Sequence, residues 1–361
     1  MNKFGFIIHP LKIGDFTRKF DWIEKIPENI LKKATKFIPP FKVSHITGIR
    51  SRTGKEIEGY FIACPLTSEQ ILNLPQKVVL NKIIKAGEKA EELGCDIVGL
   101  GSFTSVVGDK GLTVGRELDI PVTTGNSYTV ATAITGTGLA ARKMGLSLQK
   151  VTVIGAYGSI GRATSLMLAG ESKKLVLVGR DEKKLQTVKK EIEDEGYDLK
   201  ITITTELKQA VQNAEIIITA SGAVKSLIDP EDLKPGAVVC DVARPRDVAE
   251  KVGEKRDDVL VIEGGVVEVP GSVNFNFDFG FPPGTAYACM AETMLLALEG
   301  KFEDYSLGPR IELSRVREIA ELAKKHGFKL SGLRSFNRAV RNEIIEQIKE
   351  KAEEKMAASF S

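Results

Sequence analysis

A glycine-rich turn between an apolar segment and a helical segment constrains this chain more than any other feature. Lys150–Ile154 and Lys174–Val178 predict two strands with a helix between them. Gly155, Gly158 and Gly161 directly follow the first strand. In such a unit the glycines permit a tight turn, close approach of a pyrophosphate and close helix packing, and the helix N-terminus offers N–H groups to the phosphates. The spacing GxxGxxG predicts a dinucleotide site; a glycine-rich turn without a ligand is the alternative.

The alternation of strands and helices continues beyond this unit. Ala214–Ala220 and Ala237–Asp241 read as further strands, which indicates a Rossmann-type parallel sheet. Small residues after the fourth strand and glycines after a later strand are expected near the nicotinamide, with an ordinary turn as the alternative at each place. The expected cofactor contacts are Gly155, Ala156, Tyr157, Gly158, Ser159, Ile160, Gly161, Arg180, Ala220, Ser221, Gly222, Gly264 and Gly265.

The end of the second strand bears on the choice of cofactor. An acidic residue there would bind the ribose 2′-hydroxyl of NAD(H), whereas a guanidinium suits the 2′-phosphate of NADP(H). This chain has Arg180 at the strand end, with Lys183 and Lys184 beyond it. Asp181 comes one residue later, which leaves dual use open. The sequence therefore predicts NADPH as the cofactor in preference to NADH.

Composition excludes several classes of function. The 361 residues carry a formal net charge of +3, so charge favours neither nucleic acid nor an anionic membrane surface as a partner. No apolar run reaches the roughly 18 residues of a transmembrane helix, although peripheral membrane contact stays open. The 4 cysteines form no CxxC pair, so no metal site is expected, and thiols of this kind are typical of a reducing cytoplasm. The histidines, His9, His45 and His326, are expected to be structural rather than catalytic.

The region before the dinucleotide unit combines strands and helices. Lys42–Ile46 and Glu58–Ala63 predict strands, Leu80–Leu93 an amphipathic helix and Asp96–Gly101 a buried strand. We therefore predict an α/β protein in which a smaller α/β substrate domain precedes the Rossmann-type sheet domain, with C-terminal helices returning between the two. The expected bounds are 1–130 for the substrate domain, 131–145 for a connecting helix, 146–280 for the NADP(H)-binding domain and 281–361 for the C-terminal helices.

Two helical segments carry expectations about packing. Thr129–Met144 predicts a helix of small residues with Gly136 and Gly138 inside it, at a cost of roughly 1 kcal/mol each. Such a helix is expected to pack closely against another backbone, with close approach to a cofactor or substrate as the alternative. Residues 336–356 predict a last helix that docks on the body of the protein or on a second subunit, which leaves a homo-oligomer open. Its apolar face is formed by Phe336, Val340, Ile344, Ile348 and Met356.

Cys289 is the candidate nucleophile. It follows the turn Pro282–Gly284, and Thr285 is predicted as a helix N-cap, which places Cys289 in or near the first helical turn. A thiolate there is stabilised by the helix dipole and by N–H groups, and an activated cysteine attacks thioester or aldehyde carbonyls. The alternative is a packing role, because cysteine is often buried and this helix is almost wholly apolar. Cys95 and Cys240 are expected in the core.

Several segments occur in the same order as in a known family. They are Gly99–Ser105, Thr123–Ser127, Gly155–Gly161, Ala288–Leu296 and Lys325–Lys329. In this combination the chain, over residues 4–330, resembles the cyanobacterial long-chain acyl-(acyl carrier protein) reductases. The resemblance implies NADPH-dependent reduction of a fatty acyl thioester, carried by acyl-carrier protein or coenzyme A, to a fatty aldehyde. It also implies that Cys289, in the Ala-Cys-x-Ala-Glu segment, accepts the acyl group, and it keeps Cys64 as a second candidate.

The reaction that the resemblance implies has two steps. The Cys289 thiolate displaces the carrier thiol, and hydride from NADPH then reduces the enzyme-bound thioester to a hemithioacetal that collapses to the aldehyde. Backbone N–H groups at the start of the helix would hold the developing oxyanion. Segments of small residues are expected to line the acyl site, and the residues concerned are Ser102, Phe103, Thr104, Asn126 and Tyr128.

Two segments depart from the family pattern, and competing interpretations stay open. The loop Gly271–Phe281 and the chain after residue 331 read differently, so acyl length is undetermined. Lys32, Lys33 and Lys36 form a candidate basic patch for an acidic carrier protein. The first alternative is a small-molecule dehydrogenase of the shikimate or amino-acid type, which needs no covalent intermediate and would stay active without the Cys289 thiol. The second is a non-catalytic dinucleotide-binding module.

Overall fold

The computed structural model describes residues 1–18, 26–223, 225–243, 246–336 and 338–358. The strands are β1 Asn2–Ile8, β2 Phe41–Arg50, β3 Glu56–Ala63, β4 Ile97–Leu100, β5 Val122–Thr123, β6 Lys150–Ile154, β7 Lys174–Val178, β8 Lys200–Thr204, β9 Ile216–Thr219, β10 Val238–Asp241, β11 Leu260–Glu263, β12 Val266–Glu268, β13 Gly271–Asn274, β14 Thr285–Tyr287, β15 Lys329–Leu330, β16 Arg334–Ser335 and β17 Arg338–Ala339. The helices are α1 Glu28–Ala34, α2 Ser68–Asn73, α3 Gln76–Glu92, α4 Leu112–Glu117, α5 Asn126–Lys143, α6 Ser159–Ala169, α7 Glu182–Asp194, α8 Leu207–Gln212, α9 Glu250–Lys255, α10 Ala288–Glu299, α11 Leu313–His326 and α12 Asn342–Ala358.

The described residues form two compact units. The first unit draws on Met1–Tyr128, Val267–Pro309 and Arg317–Lys329. The second draws on Thr129–Val266, Arg310–Val316 and Leu330–Ser361. Helix α5 therefore begins in the first unit and continues in the second.

The first unit is built on a mixed six-stranded sheet in the order β13-β2-β3-β1-β4-β5. Strands β3, β1, β4 and β5 are parallel, and β2 and β13 are antiparallel neighbours at one edge. Helix α3 packs on this sheet through residues spaced three or four apart, namely Val79, Ile83, Ala86 and Ala90, all fully buried. It starts after Pro75 and ends before Gly94, whose φ of +72° suits a residue without a Cβ.

The second unit is an entirely parallel six-stranded sheet in the order β11-β10-β9-β6-β7-β8. Counted within the unit, this is the order 6-5-4-1-2-3 of the doubly wound nucleotide-binding fold. Its strands are almost continuously apolar because helices cover both faces: Val151 and Val153 pack on one face and Ile154 on the other. The predicted α/β architecture with a Rossmann-type parallel sheet is confirmed.

The expectation of close backbone packing at the two glycines of α5 is wrong. A Cβ built at Gly136 would lie 3.8 Å from the Ile262 side chain, and one at Gly138 would lie 3.5 Å from the Leu148 side chain. Both are ordinary van der Waals distances to side-chain atoms, so no backbone requires a glycine there. The small residues instead match α5 to the apolar core of the second unit, in which Ala133 and Ala140 are fully buried.

The predicted apolar face of the last helix is correct only in part. Helix α12 begins at Asn342, six residues later than predicted, because Arg334–Ser335 and Arg338–Ala339 pair as a short hairpin first. Ile345 and Ala352 are its buried residues, and Ile348 of the predicted face is partly buried against the core that contains Ile345, whereas Ile344 is 46% exposed and Met356 is 37% exposed. Phe336 and Val340 lie before the helix, so the helical spacing does not apply to them.

Candidate active site and dinucleotide site

The glycine turn of the second unit has the geometry that its sequence requires. Gly155 has a φ of +77°, and a Cβ there would lie 2.7 Å from the Ala220 carbonyl oxygen. A Cβ at Gly161 would lie 2.2 Å from the Gly155 carbonyl oxygen, so α6 can approach the turn only with glycine at that position. Gly158 is the N-cap of α6 and has no side chain to accept the first-turn N–H groups. These groups are therefore arranged as in a pyrophosphate site.

Two buried aspartates hold the loops that follow the neighbouring strands. Asp247 accepts hydrogen bonds from the Thr219 hydroxyl, from the Ser221 N–H at 3.0 Å and from the Ser221 hydroxyl at 2.5 Å. Asp241 accepts from the N–H groups of Ala243 at 3.1 Å and Val248 at 3.0 Å. Sequence reasoning missed both aspartates, although Asp241, an acidic residue that ends an apolar strand, is a detectable signal. Asp247 fixes the predicted contact residue Ser221, and Ala220 and Ser221 lie against Gly155 of the glycine turn.

The glycines after β11 lie beside a buried ion pair. Arg246 contacts the Glu263 carboxylate at 2.6 Å, directly before Gly264 and Gly265. Gly265 has a φ of +86°, and a Cβ at Gly264 would lie 2.7 Å from the Val242 side chain. Gly265 is therefore required by its backbone conformation and Gly264 by the closeness of the Val242 side chain, whether or not they contact a nicotinamide.

The end of β7 presents positive charge near the glycine turn. Arg180 is exposed, and the Lys184 ammonium lies 5.6 Å from the centre of the Tyr157 ring. A Cβ at Gly179 would lie 2.5 Å from that ring, so Tyr157 of the turn covers the end of the strand. Asp181 is the N-cap of α7 and accepts from the Lys184 N–H, a hydrogen bond that lowers the pKa of its carboxyl. The Asp181 carboxylate is thus engaged with its own helix.

In the first unit, the segments that were predicted to bind substrate lie at the carboxyl ends of the parallel strands. His9 follows β1, Ser102 follows β4 and Gly125 follows β5, and ligands of open α/β sheets bind at such an edge. Helix α10 starts at this edge, because a Cβ at Gly125 would lie 2.2 Å from the Cys289 Cα. A Cβ at Gly99 would likewise lie 2.1 Å from the Thr293 hydroxyl oxygen. Two glycines thus admit the helix that carries the candidate nucleophile.

Cys289 is the second residue of α10 and differs in exposure from the other cysteines. It is partly exposed, whereas Cys64, Cys95 and Cys240 are buried. Burial raises the pKa of the Cys64 thiol to about 12, so this second candidate stays protonated at neutral pH. Burial likewise raises the pKa of the Cys95 thiol to about 12. The first turn of a helix favours a thiolate through its dipole and N–H groups, and Cys289 occupies that position.

The predicted N-cap of α10 is wrong by two residues. Tyr287, not Thr285, is the N-cap, and its side chain makes no capping hydrogen bond. Thr285 lies in β14, where its hydroxyl donates to the Pro282 carbonyl at 2.7 Å. The three residues Thr285–Tyr287 pair as a strand instead of entering the helix, and this pairing could not be read from local sequence.

Glu292, one turn beyond Cys289, is a site residue that sequence reasoning did not single out. Its carboxylate is fully buried and accepts from the Thr123 hydroxyl at 2.5 Å, the Tyr128 N–H at 2.7 Å and the Ser306 hydroxyl at 2.7 Å. Burial raises the pKa of the Glu292 carboxyl, and the hydrogen bonds from Thr123, Tyr128 and Ser306 oppose that increase. Because the Tyr128 N–H belongs to the first turn of α5, Glu292 caps α5 from another helix.

The turn after β4 is strained and is held by His9. Ser102 has a φ of +51°, and within the described residues its buried hydroxyl has no hydrogen-bond partner. The Phe103 N–H donates to His9 Nε2 at 3.3 Å, and His9 Nδ1 lies 3.1 Å from the Pro10 carbonyl oxygen. Burial lowers the pKa of His9 to about 4, so the ring is neutral and Nε2 is the acceptor. The Thr104 hydroxyl donates a hydrogen bond to the Gly101 carbonyl oxygen at 2.7 Å.

The predicted residues of α5 have different roles. Asn126 opens the helix, and the Tyr128 side chain is 5% exposed, with burial raising the pKa of its phenol. The structure therefore brings Ser102, Asn126 and Cys289 to one edge of the first unit, while the Tyr128 ring is part of the packing.

Two further observations concern absences. None of the helices within the described ranges is long and apolar enough to cross a membrane. The same part of the chain contains no cluster of three or more histidine, cysteine or acidic side chains that would hold a metal ion.

The fold and the glycine turn define the second unit as a dinucleotide-binding unit, and a family model together with a curated reductase indicates an NAD(P)-dependent oxidoreductase. The family described as shikimate / quinate 5-dehydrogenase matches residues 138–263. A solved quinate dehydrogenase from Corynebacterium glutamicum, in complex with NAD, aligns at 13% identity over 89% of this chain and 98% of its own, with a TM-score of 0.38.

Two curated relatives extend the similarity beyond that unit. The long-chain acyl-[acyl-carrier-protein] reductase of Synechococcus elongatus is 30% identical over 310 residues, which cover 80% of this chain and 87% of the reductase. The chain belongs to the family of that reductase. The aminotransferase PigE of a Serratia strain is 31% identical over 362 residues, which cover 96% of this chain but 42% of the aminotransferase. The chain thus spans about two fifths of that second relative.

Proposed function

We propose that this chain reduces a fatty acyl thioester to an aldehyde with NADPH, through an acyl-enzyme on Cys289. The position of Cys289 carries the proposal. It is partly exposed in the first turn of α10, at the carboxyl edge of the parallel strands in the first unit, whereas the other three cysteines are buried. The family relationship to an acyl-carrier-protein reductase supports a thioester as the substrate.

The chemistry of the first step requires only the thiolate and a place for the oxyanion. The Cys289 sulfur forms a bond to the thioester carbonyl carbon, and the bond from that carbon to the carrier sulfur breaks, so the carrier leaves as a thiolate that takes up a proton. N–H groups of the first turn of α10 are the donors available to the carbonyl oxygen. Glu292 keeps this turn in place through its contacts with Thr123 and Tyr128.

The second unit fits a dinucleotide, and the fit rests on the glycine turn. Gly155, Gly158 and Gly161 would hold the pyrophosphate, and the loop that Asp247 fixes would pass the nicotinamide ribose. Arg180 is exposed directly after Gly179 at the end of β7, and this supports a contact with a 2′-phosphate and hence NADPH as the cofactor. The reduced nicotinamide, when bound, supplies the hydride for the second step.

A basic and apolar surface on the first unit supports a carrier protein as the acyl donor. Lys33 and Lys36 are exposed, and Phe37 beside them is 84% exposed. Lys32 is less available because it pairs with Glu69 at 2.9 Å. An acidic carrier would be attracted to such a surface. Reversing both charges, Lys33→Glu with Lys36→Glu, should raise KM for an acyl-carrier protein several-fold and leave KM for acyl-CoA unchanged.

The test of the proposed function is intact-protein mass spectrometry after incubation with long-chain acyl-CoA or acyl-carrier protein. Wild type should gain one acyl group, Cys289→Ala none, and NADPH should discharge the adduct as aldehyde. Cys64→Ala is the matched control and should be acylated like wild type. Absence of an adduct with either carrier, at several chain lengths and with normal NADPH binding, would contradict the proposal.

A dehydrogenase that forms no covalent intermediate is the second candidate function. The match to shikimate / quinate 5-dehydrogenase favours it, but that match covers residues 138–263 and so excludes Cys289. The two functions separate on the Cys289→Ala variant: the dehydrogenase would keep its turnover, whereas the thioester reductase would lose it.

A further inference from the structure

We infer that the loop Phe275–Phe281, here called the aromatic loop, binds the apolar tail of the acyl group that Cys289 accepts. The inference rests on the proposed function for the thioester end, whereas binding of the tail can be measured separately. The loop alternates aromatic and polar or glycine residues, and its aromatic members are Phe275, Phe277, Phe279 and Phe281.

Three aromatic rings of the loop pack around one buried side chain of the sheet, Phe61. Phe61 of β3 is fully buried, and the rings of Phe275, Phe277 and Phe279 have their centres 5.9, 6.2 and 5.4 Å from its centre. Phe275 is itself buried, whereas Phe277 and Phe279 remain partly exposed. Aromatic side chains carry large apolar surfaces, so rings left partly open to solvent are available for an apolar ligand.

A cavity of about 310 Å³ lies beside this row of rings. Its lining is mainly apolar, with two polar residues, and consists of Val273, Phe275, Phe279, Phe281, Pro282, Pro283 and Gly284 together with Asn274 and Asp278. Its volume falls at the lower end of the range for small-ligand sites, which suits part of an acyl chain. A second cavity, of about 430 Å³, is lined by six charged residues of the second unit beside Leu166, Ile311 and Leu313, so it suits an apolar tail less well.

The row of rings continues to the helix that carries Cys289. The centres of the Phe279 and Phe281 rings are 5.7 Å apart, and those of Phe281 and Tyr287 are 4.4 Å apart. Tyr287 is the N-cap of α10, two residues before Cys289, a span of no more than about 7 Å along the chain. An acyl group bound to the Cys289 sulfur would therefore have an aromatic surface within reach of its first few methylenes.

Hydrogen bonds fix the loop in this conformation. The Asn276 side chain donates to the His45 carbonyl at 2.8 Å, and its N–H donates to the Asn274 side chain at 2.9 Å. The Gly280 N–H donates to the Asp278 carboxylate at 2.7 Å. The rings are thus ordered before a ligand arrives, which lowers the entropy cost of binding. The Asn276 side chain thus serves the loop backbone, and Asp278, which also lines the cavity, is engaged by the Gly280 N–H.

The first measurement is binding of cis-parinaric acid, a fluorescent fatty acid, to the full chain. Phe279→Ser removes a ring from the row and should weaken binding about tenfold. Val273→Trp fills the cavity without emptying the core and should weaken binding to a similar extent, which covers the case in which Phe279→Ser does not fold. Phe302→Ser, at a residue 39% exposed and outside the cavity lining, is the matched control and should bind like wild type.

The second measurement is kcat/KM for acyl-CoA substrates of increasing chain length. Each methylene buried in the cavity should raise kcat/KM by roughly fourfold, and Phe279→Ser and Val273→Trp should flatten this dependence. Weakened parinaric acid binding in both variants without any acylation of Cys289 would support the tail site and contradict the proposed function. Acylation of Cys289 with parinaric acid binding and chain-length dependence unchanged in both variants would overturn the tail site alone.

Discussion

Replacing the buried Glu292 separates the contribution of its carboxylate hydrogen bonds from that of its charge. Glu292→Ala removes the acceptor of the Thr123 and Ser306 hydroxyls and of the Tyr128 N–H. The hydroxyls can turn to other acceptors, but the N–H of a helical first turn cannot. A buried donor that loses its acceptor costs about 1–3 kcal/mol, and the lost burial of the one methylene, Cγ, adds about 0.8 kcal/mol. We expect Glu292→Ala to lower the free energy of unfolding by about 2–4 kcal/mol.

Glu292→Gln should behave differently because the amide can satisfy the same three partners. Its carbonyl oxygen can accept from the Tyr128 N–H while its NH₂ donates to the two hydroxyl oxygens. We expect a loss within about 1.5 kcal/mol. Urea unfolding of both variants followed by circular dichroism gives the comparison, with Glu88→Ala, at an exposed position on α3, as a control expected to stay within about 0.5 kcal/mol of wild type. Equal losses for Ala and Gln would refute the hydrogen-bond reasoning.

The same pair of variants predicts a pH dependence of stability. Burial raises the pKa of Glu292 in the folded state, so the folded protein holds this proton more tightly than the unfolded chain does. The stability that this proton contributes is present below the unfolded carboxyl pKa of about 4.3 and is lost as pH rises through the raised folded value. Wild type should therefore lose stability relative to Glu292→Gln as pH increases, and a difference that stays constant with pH would contradict the raised pKa.

Three further results are expected. Arg180→Ala should raise Kd for NADPH by roughly tenfold or more and leave Kd for NADH unchanged, because a hydrogen bond to a charged group contributes about 1.5–3 kcal/mol. Lys190→Ala, at an exposed position further along α7, is the control. An equal change in Kd for both cofactors would argue against a 2′-phosphate contact. Gly138→Ala should stabilise the protein by about 1 kcal/mol in thermal unfolding at unchanged NADPH affinity, because a Cβ there would make ordinary contacts with the side chains of Leu148 at 3.5 Å and Arg142 at 3.7 Å. Destabilisation would show that a backbone or the cofactor packs there. Iodoacetamide at pH 8 should alkylate Cys289 and leave Cys64 unlabelled, since a thiol whose pKa is about 12 stays protonated at that pH. Peptide mass spectrometry identifies the labelled sites. Labelling of both cysteines would show that burial does not protect Cys64.

Local pattern alone predicted the dinucleotide fold and the place of the candidate nucleophile. The strand Lys174–Val178 has the predicted bounds. The glycine turn that precedes α6 has the close backbone contacts that its three glycines indicated. Cys289 lies in the first turn of its helix as predicted. These features depend on residues within one turn or one strand of each other, so the periodicity of apolar residues and the chemistry of glycine decide them.

The tertiary structure decided what surrounds that nucleophile. Gly125 and Cys289 are 164 positions apart, and only the packing of α10 on the sheet edge shows that one must be glycine because of the other. Glu292 draws its partners Thr123, Tyr128 and Ser306 from segments before and after α10, so no spacing rule could mark it.

The aromatic loop and the last helix show the same division. Alternating phenylalanines were visible in the sequence, but their common contact with Phe61 of β3 was not, because it depends on the pairing of β13 with β2. The start of α12 was misplaced because a hairpin that pairs Arg334–Ser335 with Arg338–Ala339 competes with helix formation. By itself the sequence determined the elements whose stability is local, and the tertiary structure decided every contact for which distant segments had to be brought together first.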